Sequence, residues 1–265
     1  MDQRQIFRDL HKTPFIIPNP WDAGSAKILA SLGFPALATT SAGFANTLGR
    51  LDGEITREEA IAHAALIDGA TSLPVNADLE NGFGDDPKAA AETISQALAA
   101  GIAGGSIEDF GGGAIYDASL AADRIQAAVE VNRNSDSPLV LTARAENHIR
   151  GNPDLKDTIT RLQAYQEAGA DVLYAPGLTD PGDIERLVAA VDLPVNVLVM
   201  PGGPPIPKLF EIGVIRVSTG SAISMAAQSA IVEAARELLE TGTHDFWLKA
   251  LPNAAVVNAA LGEDS

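Results

Sequence analysis

The sequence predicts a closed barrel of parallel strands wrapped in helices, an α/β fold of the (β/α)8 TIM-barrel type. Three observations predict it. A helical stretch that ends near glycine and runs into a short apolar strand recurs in "ILASLGFPALATTS", "ALAAGIAGGSIED", "AYQEAGADVLYAP" and "LFEIGVIRVSTGS". The apolar runs show no polar alternation, as expected of parallel strands covered on both faces. The 265 residues are enough for the eight strand–helix units that close such a barrel.

The elements follow in order. "FIIPN" reads as the first strand, and the helix after it begins near Asp22, a residue of the capping type. "FPALATT" gives the second strand, followed by a helix from Thr56, and "LPVNADL" the third, followed by a helix from Asp86. "AGGSIE" and "LVLTAR" are the fourth and fifth, with helices opening near Ser119 and Asp154. "DVLYA", "PVNVLV" and "VIRVST" complete the set, with helices from Asp180, from Pro205 and from about Ser221 to Glu240. Gly33, Gly101, Gly169 and Gly213 each stand where a left-handed residue closes a helix. No G-x-G-x-x-G follows the first strand, which argues against an open dinucleotide-binding sheet. The whole chain, 1–265, reads as one barrel domain without an interior linker. Its tail, from about 243 to 265, reads as an extra C-terminal segment: a short helix, an arm exchanged with another chain, or a partly disordered end.

Composition narrows the function. A formal charge of −17 argues against nucleic acid, which needs a basic surface. It also opposes anionic ligands unless a metal or a buried Arg reverses the local field. The absence of cysteine excludes disulfides, thiolate nucleophiles and Cys-ligated zinc. The first residues lack the apolar core of a signal peptide, and no apolar run is long enough to span a membrane. A soluble, cytoplasmic protein with no membrane partner is expected.

In barrels of this type the chemistry sits at the carboxyl ends of the strands. Those positions hold Thr40 and Ser41, the loop acid Asp52, Asp78 with Glu80, Glu108 with Asp109, and Arg144 with Glu146. Two readings stand for the acids. Carboxylates on neighbouring strands with no lysine among them suit a hard divalent cation, held by one or two direct carboxylates and several waters. Alternatively they cap the helices that follow, which suits Asp85 and Asp86 but not Glu108, since "GGSIEDFGGG" leads into glycine. Arg144 ends an apolar strand, either as a structural ion pair or as a fork for a substrate carboxylate. Every lysine falls in a loop or helical stretch, so a Schiff-base mechanism is disfavoured.

The combined order of "PNPWDAGSAKILASLGFPALATTSAGFANTLGRLDG", "ADLENGFGD", "GGSIED" and "LTARAE" resembles the isocitrate lyase/phosphoenolpyruvate mutase superfamily, from about Pro18 to Leu239. "YAPGLTDPGDIERLV" and "NVLVMPGGPP" resemble a divergent bacterial, mutase-like or methylisocitrate lyase-like branch. The resemblance implies a Mg²⁺-dependent barrel, with Mn²⁺ as a substitute, that makes or breaks bonds next to a 2-oxo or enolate carboxylate. It implies Asp78 as the direct metal ligand, with Asp52, Glu80 and Glu108 reaching the metal through water. Glu80 departs from the family's D-x-D-x-G-[FY]-G motif, where the second acid is Asp. Arg144 matches the Arg that binds the substrate carboxylate. Thr40, Ser41 and Ala42 match the segment whose backbone N–H groups hold the carboxylate or oxyanion. The resemblance also implies a homo-oligomer, a dimer or tetramer that exchanges C-terminal helices.

The departures bear on activity. Where the lyases carry K-K-C-G-H and the mutases a Lys and an Asn, this chain has "FGGGAIYDASLAADRI", with neither Cys nor Lys. Tyr116 in that loop, or His148, is left as a candidate proton donor, with packing as the alternative role for Tyr116; Glu108 and Arg144 complete the candidate catalytic set. The expected activity is a Mg²⁺-dependent carbon–carbon lyase or decarboxylase. Its substrate would be a small 2-oxo or 2-hydroxy dicarboxylate of the oxaloacetate, methylisocitrate or dimethylmalate kind, cleaved through a metal-stabilised enolate. A phosphoenolpyruvate phosphonomutase or phosphonopyruvate hydrolase is the alternative, and a non-catalytic 2-oxo-acid binder the third reading.

Overall fold

A computed structural model describes residues 2–262. The barrel strands are β1 (Phe15–Ile17), β2 (Leu37–Ala38), β3 (Val75–Asp78), β4 (Gly104–Glu108), β7 (Val140–Arg144), β8 (Val172–Tyr174), β9 (Val195–Leu198) and β10 (Arg216–Ser218). All pair in parallel, in the order β1-β10-β9-β8-β7-β4-β3-β2. Between β4 and β7 lies a small antiparallel hairpin, β5 (Phe110–Gly111) with β6 (Ala114–Ile115). β1 and β2 share no ladder, because Pro18 and Pro20 interrupt the first strand's supply of N–H donors. The seam is closed instead by Ala38 N–H to the Pro18 carbonyl (3.0 Å) and by Asn19 Nδ2 to the Thr39 carbonyl (2.8 Å). The expected eight-stranded (β/α)8 barrel is therefore present, nearly closed.

The helices are α1 (Gln3–Leu10), α2 (Ala23–Ser31), α3 (Ser41–Thr47), α4 (Arg57–Asp68), α5 (Pro87–Ala99), α6 (Ala118–Arg133), α7 (Leu155–Ala168), α8 (Pro181–Ala189), α9 (Ile206–Glu211), α10 (Ala222–Glu240), α11 (Phe246–Ala250) and α12 (Ala254–Gly262). Asp22, Thr56, Asp86, Asp154 and Asp180 cap their helices as expected, each accepting a backbone N–H one turn in. The helix expected near Ser119 starts at Ala118, with Asp117 before it. Gly33, Gly101, Gly169 and Gly213 adopt φ of 89, 84, 100 and 96°, the left-handed closure.

Besides the β5–β6 hairpin, α1 and α3 were not foreseen. α1 packs Phe7, fully buried, edge-on against Phe15 at 6.4 Å, and with Ala36, Ala103, Val140 and Val172 this seals the amino-terminal end of the barrel. Arg4 ties α1 down by donating to the carbonyls of Leu98, Ile102 and Ser137. α3 forms because "ATTS" spends its threonines elsewhere: Thr39 Oγ1 accepts Asp78 N–H (2.8 Å) and Thr40 Oγ1 accepts Gly43 N–H (3.3 Å). That leaves β2 only two residues long. In the tail, α12 returns to pack beside α2, while Trp247, Leu248 and Leu251 are exposed; residues 263–265 lie outside the described residues. No helix among the described residues is long and apolar enough to cross a membrane.

Candidate active site

Inward-facing residues at the carboxyl ends of β3, β4 and β7 build the site. β3 ends in Asp78, whose Oδ2 accepts Ser41 N–H (3.2 Å) and whose Oδ1 pairs with Arg144 Nη1 (2.9 Å). Leu79 turns out into the helix–sheet core, and Glu80 comes back inward with a φ of 46°. That left-handed value is uncommon for a residue other than glycine and costs about 1 kcal/mol or more. Its carbonyl is anchored by Glu108 N–H at 2.9 Å. Glu80 Oε1 is buried without a hydrogen-bond partner. Burial, followed by the charges of Asp78 and Asp52, pushes the Glu80 carboxyl up to about 7.

The register of β4 with β7 sets Glu108 directly opposite Arg144. Arg144 Nη2 lies 3.0 Å from Glu108 Oε2 and 2.8 Å from Glu146 Oε1. Burial opposes the Arg144 charge, but Glu146, Glu108 and Asp78 hold it above its ordinary value. Glu108 is raised well above the usual carboxylate range by burial, against the pull of Arg144. A second guanidinium, Arg150, sits 3.8 Å over the Phe110 ring and 3.6 Å from Glu108 Oε1. Asp52, on the loop after α3, accepts the Ser41 hydroxyl (2.8 Å).

Two connected recesses meet at Ser41, Asp52 and Arg144. One, of about 140 Å³, runs from Thr40, Ser41, Ala42, Asp52 and Asp78 at the rim down to Asn196 and Arg216 inside the barrel. The other, of about 390 Å³, is bounded by Glu80, Glu108, Arg150 and the β5–β6 hairpin. Thus Thr40, Ser41, Ala42, Asp52, Asp78, Glu80, Glu108 and Arg144 all converge on one mouth. The Ser41 and Gly43 N–H groups are engaged by Asp78 and Thr40 rather than standing open.

Several acids lie elsewhere. Asp109 faces outward, accepting Tyr165 O–H (2.6 Å) and pairing with Arg161 Nη1 (3.1 Å). Asp85, read as a capping residue, instead accepts the Tyr116 hydroxyl at 2.5 Å, while Asp86 alone caps α5. Tyr116 also accepts from Asn81 Nδ2 (2.8 Å) and borders neither recess. Its hydroxyl donates to Asp85, a contact that suits the packing role. His148 is half-buried outside both recesses. The hairpin residues Phe110 to Ile115 carry no ionisable side chain. Sequence reasoning missed Arg150, Tyr174 and Arg216; for Arg216 the signal was a lone charge inside the apolar "VIRVST".

The donor set suits a hard divalent ion. All available groups are oxygens, the carboxylates outnumber the guanidiniums, and Glu80 Oε1 is buried with its acceptor capacity unused. Among the described residues no three Asp, Glu or His side chains converge as direct ligands.

Comparison with known proteins fits this geometry. The family model described as phosphoenolpyruvate phosphomutase matches residues 7–239. The chain belongs to this family. Its relatives include 2-methylisocitrate lyase and 2,3-dimethylmalate lyase, so the family comprises lyases and mutases of small carboxylates. A Burkholderia cenocepacia crystal structure, assigned only to the lyase/mutase class, superposes with a TM-score of 0.95 at 47% identity, covering 99% of this chain and 97% of that one. An uncharacterized Mycobacterium tuberculosis protein is 38% identical over 87% of both chains. Oxaloacetate decarboxylase of Chromohalobacter salexigens is 31% identical, covering 89% of this chain and 85% of its own.

Proposed function

We propose that this family member is a Mg²⁺-dependent carbon–carbon lyase or decarboxylase for a small 2-oxo or 2-hydroxy dicarboxylate of the oxaloacetate, methylisocitrate or dimethylmalate kind. The observation that carries the reading is the arrangement around Arg144: one guanidinium facing Asp78 and Glu108, beside the unpartnered Glu80 carboxylate, at the mouth of a polar recess. Asp78 would hold the ion directly, with Asp52, Glu80 and Glu108 holding its waters; Mn²⁺ has the same ligand preferences and would substitute. When bound, the ion supplies Lewis-acid polarisation of the substrate's 2-oxo group.

The chain's own residues do the rest. Arg144, oriented by Glu146 on its Nε, would offer its outer N–H groups to the carboxylate beside the reacting carbon. Thr40 to Ala42 border that carboxylate's position. The hairpin of Phe110 to Gly113 covers the mouth with glycine backbone and one aromatic ring, limiting water. Loss of CO₂ leaves its bonding electron pair in the 2-oxo acid as an enolate, which takes a proton from solvent, so no acid on the hairpin is required. The relation to an oxaloacetate decarboxylase supports this choice.

The family description keeps carbon–phosphorus chemistry as a second reading. The hairpin argues against it, since it offers no lysine to a transferring phosphoryl group. The test is turnover of oxaloacetate and of phosphonopyruvate in parallel, each with Mg²⁺ and with EDTA. Mg²⁺-dependent consumption of oxaloacetate is expected. Turnover of phosphonopyruvate alone would move the assignment to the second reading, and ligand binding without turnover would mark a non-catalytic binder. Association into a dimer or tetramer through the C-terminal helices is part of the proposal, supported by the exposed Met225, Ile231, Leu239, Trp247 and Leu248.

A further inference from the structure

The interior of the barrel above its apolar seal is polar, and its most unusual member is Arg216. This side chain rises from the first residue of β10 and is 3% exposed. Its Nε donates to Asn196 Oδ1 (2.9 Å) and its Nη2 to Thr142 Oγ1 (2.9 Å). Its Nη1 meets His11 Nε2 at 3.2 Å. His11 Nδ1 donates to the Phe7 carbonyl at 2.8 Å, so Nε2 is the accepting nitrogen and the ring is neutral. Burial, with Arg216 beside it, pushes His11 down to about 3. Every partner of Arg216 is therefore uncharged.

A buried guanidinium without a carboxylate carries a desolvation penalty of several kcal/mol. Two other arginines of the interior avoid it. Arg144 and Arg161 pair with acids, and Arg124 donates to the carbonyls of Asn81 and Gly84, away from the barrel interior. Of the two without a carboxylate partner, Arg124 and Arg216, it is Arg216 that faces the recess opening at Asp78 and Arg144. Of its five N–H donors, two remain after the contacts above. A second polar group lining the same recess is also unused: Asn76, 5% exposed, has a buried Oδ1 with no partner. A half turn of that amide presents its NH₂ instead. Tyr174 lies between the two arginines, its ring 5.2 Å from the Arg144 guanidinium, with its neighbour Asn196 in register beside Arg216.

We propose that Arg216 is the second anion-binding group of this recess, receiving the distal carboxylate of the substrate while Arg144 receives the carboxylate beside the reacting carbon. The inference rests on the function proposed above and narrows its substrate class to dicarboxylates that reach the barrel interior. It gives the chain a means of rejecting monocarboxylates, because a ligand without the distal group leaves Arg216 buried and unpaired.

The test is calorimetric binding of malate and lactate in Mg²⁺, since these 2-hydroxy acids share one end and differ by the distal carboxylate. The wild-type chain should bind malate about 10- to 100-fold more tightly, the range of a charge-assisted hydrogen-bonded pair. Arg216→Met should bring the two affinities within about threefold of each other while leaving lactate binding within about threefold of wild type. Arg216→Lys, which keeps the charge, should retain part of the preference, and decides together with the wild-type ratio if Arg216→Met does not fold. Equal wild-type binding of malate and lactate overturns this inference and leaves the lyase assignment standing, as does a preference that survives in Arg216→Met. Binding of neither acid overturns the proposed function and this inference with it.

Discussion

Glu80→Gln isolates the electrostatic stress of the mouth. The substitution keeps the shape of a side chain whose Oε1 has no partner and removes its charge. In the site the carboxyl is pushed from an ordinary 4.5 up to about 7, by burial first and then by Asp78 and Asp52. A carboxyl with a raised folded-state pKa binds its proton more tightly in the folded chain than in the unfolded one. It therefore costs no stability below about 4.5, and its penalty grows as pH rises, complete above about 7. At about 1.36 kcal/mol per pH unit the full penalty is about 3 kcal/mol. The side chain is partly exposed, and screening reduces this to about 1–2 kcal/mol. In EDTA, the stability advantage of Glu80→Gln over wild type should grow by that amount between pH 5 and pH 8. Urea titration reads it directly, and thermal scans should read it as about 2–8 °C. Adding Mg²⁺ at pH 8 should stabilise wild type more than the variant. A wild-type-to-variant difference that is flat with pH, or that shrinks toward pH 8, would refute the assignment of an uncompensated carboxylate at Glu80.

Other perturbations probe the remaining parts. Asp78→Asn should weaken Mg²⁺ binding at least about tenfold by calorimetry; unchanged binding means Asp78 is not the direct ligand. Arg144→Met leaves Asp78, Glu108 and Glu146 facing one another and should destabilise the metal-free chain by about 3–5 kcal/mol in urea, whereas a loss under about 1 kcal/mol would contradict the ion-pair geometry. Tyr116→Phe removes the hydroxyl that donates to Asp85 and should cost about 0.5–1.5 kcal/mol of stability with turnover kept within about twofold. A loss of activity beyond about tenfold would point to Tyr116 as a proton donor. Removing residues 241–265 should lower the sedimenting mass of the dimer or tetramer; an unchanged mass would exclude helix exchange through this segment.

The sequence made the barrel legible because its signals are local. A glycine that must turn left-handed, an aspartate that caps, and an apolar run too short for a helix each constrain a few neighbours. The acids and Arg144 were legible for the same reason, since barrel chemistry collects at the carboxyl ends of strands. What escaped depends on contacts far apart in the chain. α1 acquires its role only when Phe7 meets Phe15 and Val140 at the closed end. Asp85 and Asp86 are adjacent acids in one turn, yet one caps and the other accepts from Tyr116, a choice made by the hairpin about thirty residues on. Arg216 shows the same limit, because its neutral surroundings come from α1, β7 and β9 at once.

How a chain with a formal charge of −17 could bind the proposed doubly negative substrate follows from where its charges lie. Beyond about 8–10 Å, exposed charges are screened by physiological salt, so the acidic surface contributes little inside the barrel. The local field is set by the groups lining the recess. Arg144 is held by Asp78, Glu108 and Glu146, and a divalent ion at Asp78 would add positive charge beside the fork that favours an anion there. Arg216 has no such carboxylate partner. The two guanidiniums therefore differ in their surroundings: one sits among carboxylates, and the other, with neutral partners alone, is the one proposed to take the far end of the ligand. That division predicts an order. The ion should raise affinity for the near carboxylate, through Arg144, more than for the distal one, so Mg²⁺ should strengthen lactate binding and malate binding by similar factors and leave the preference between them unchanged.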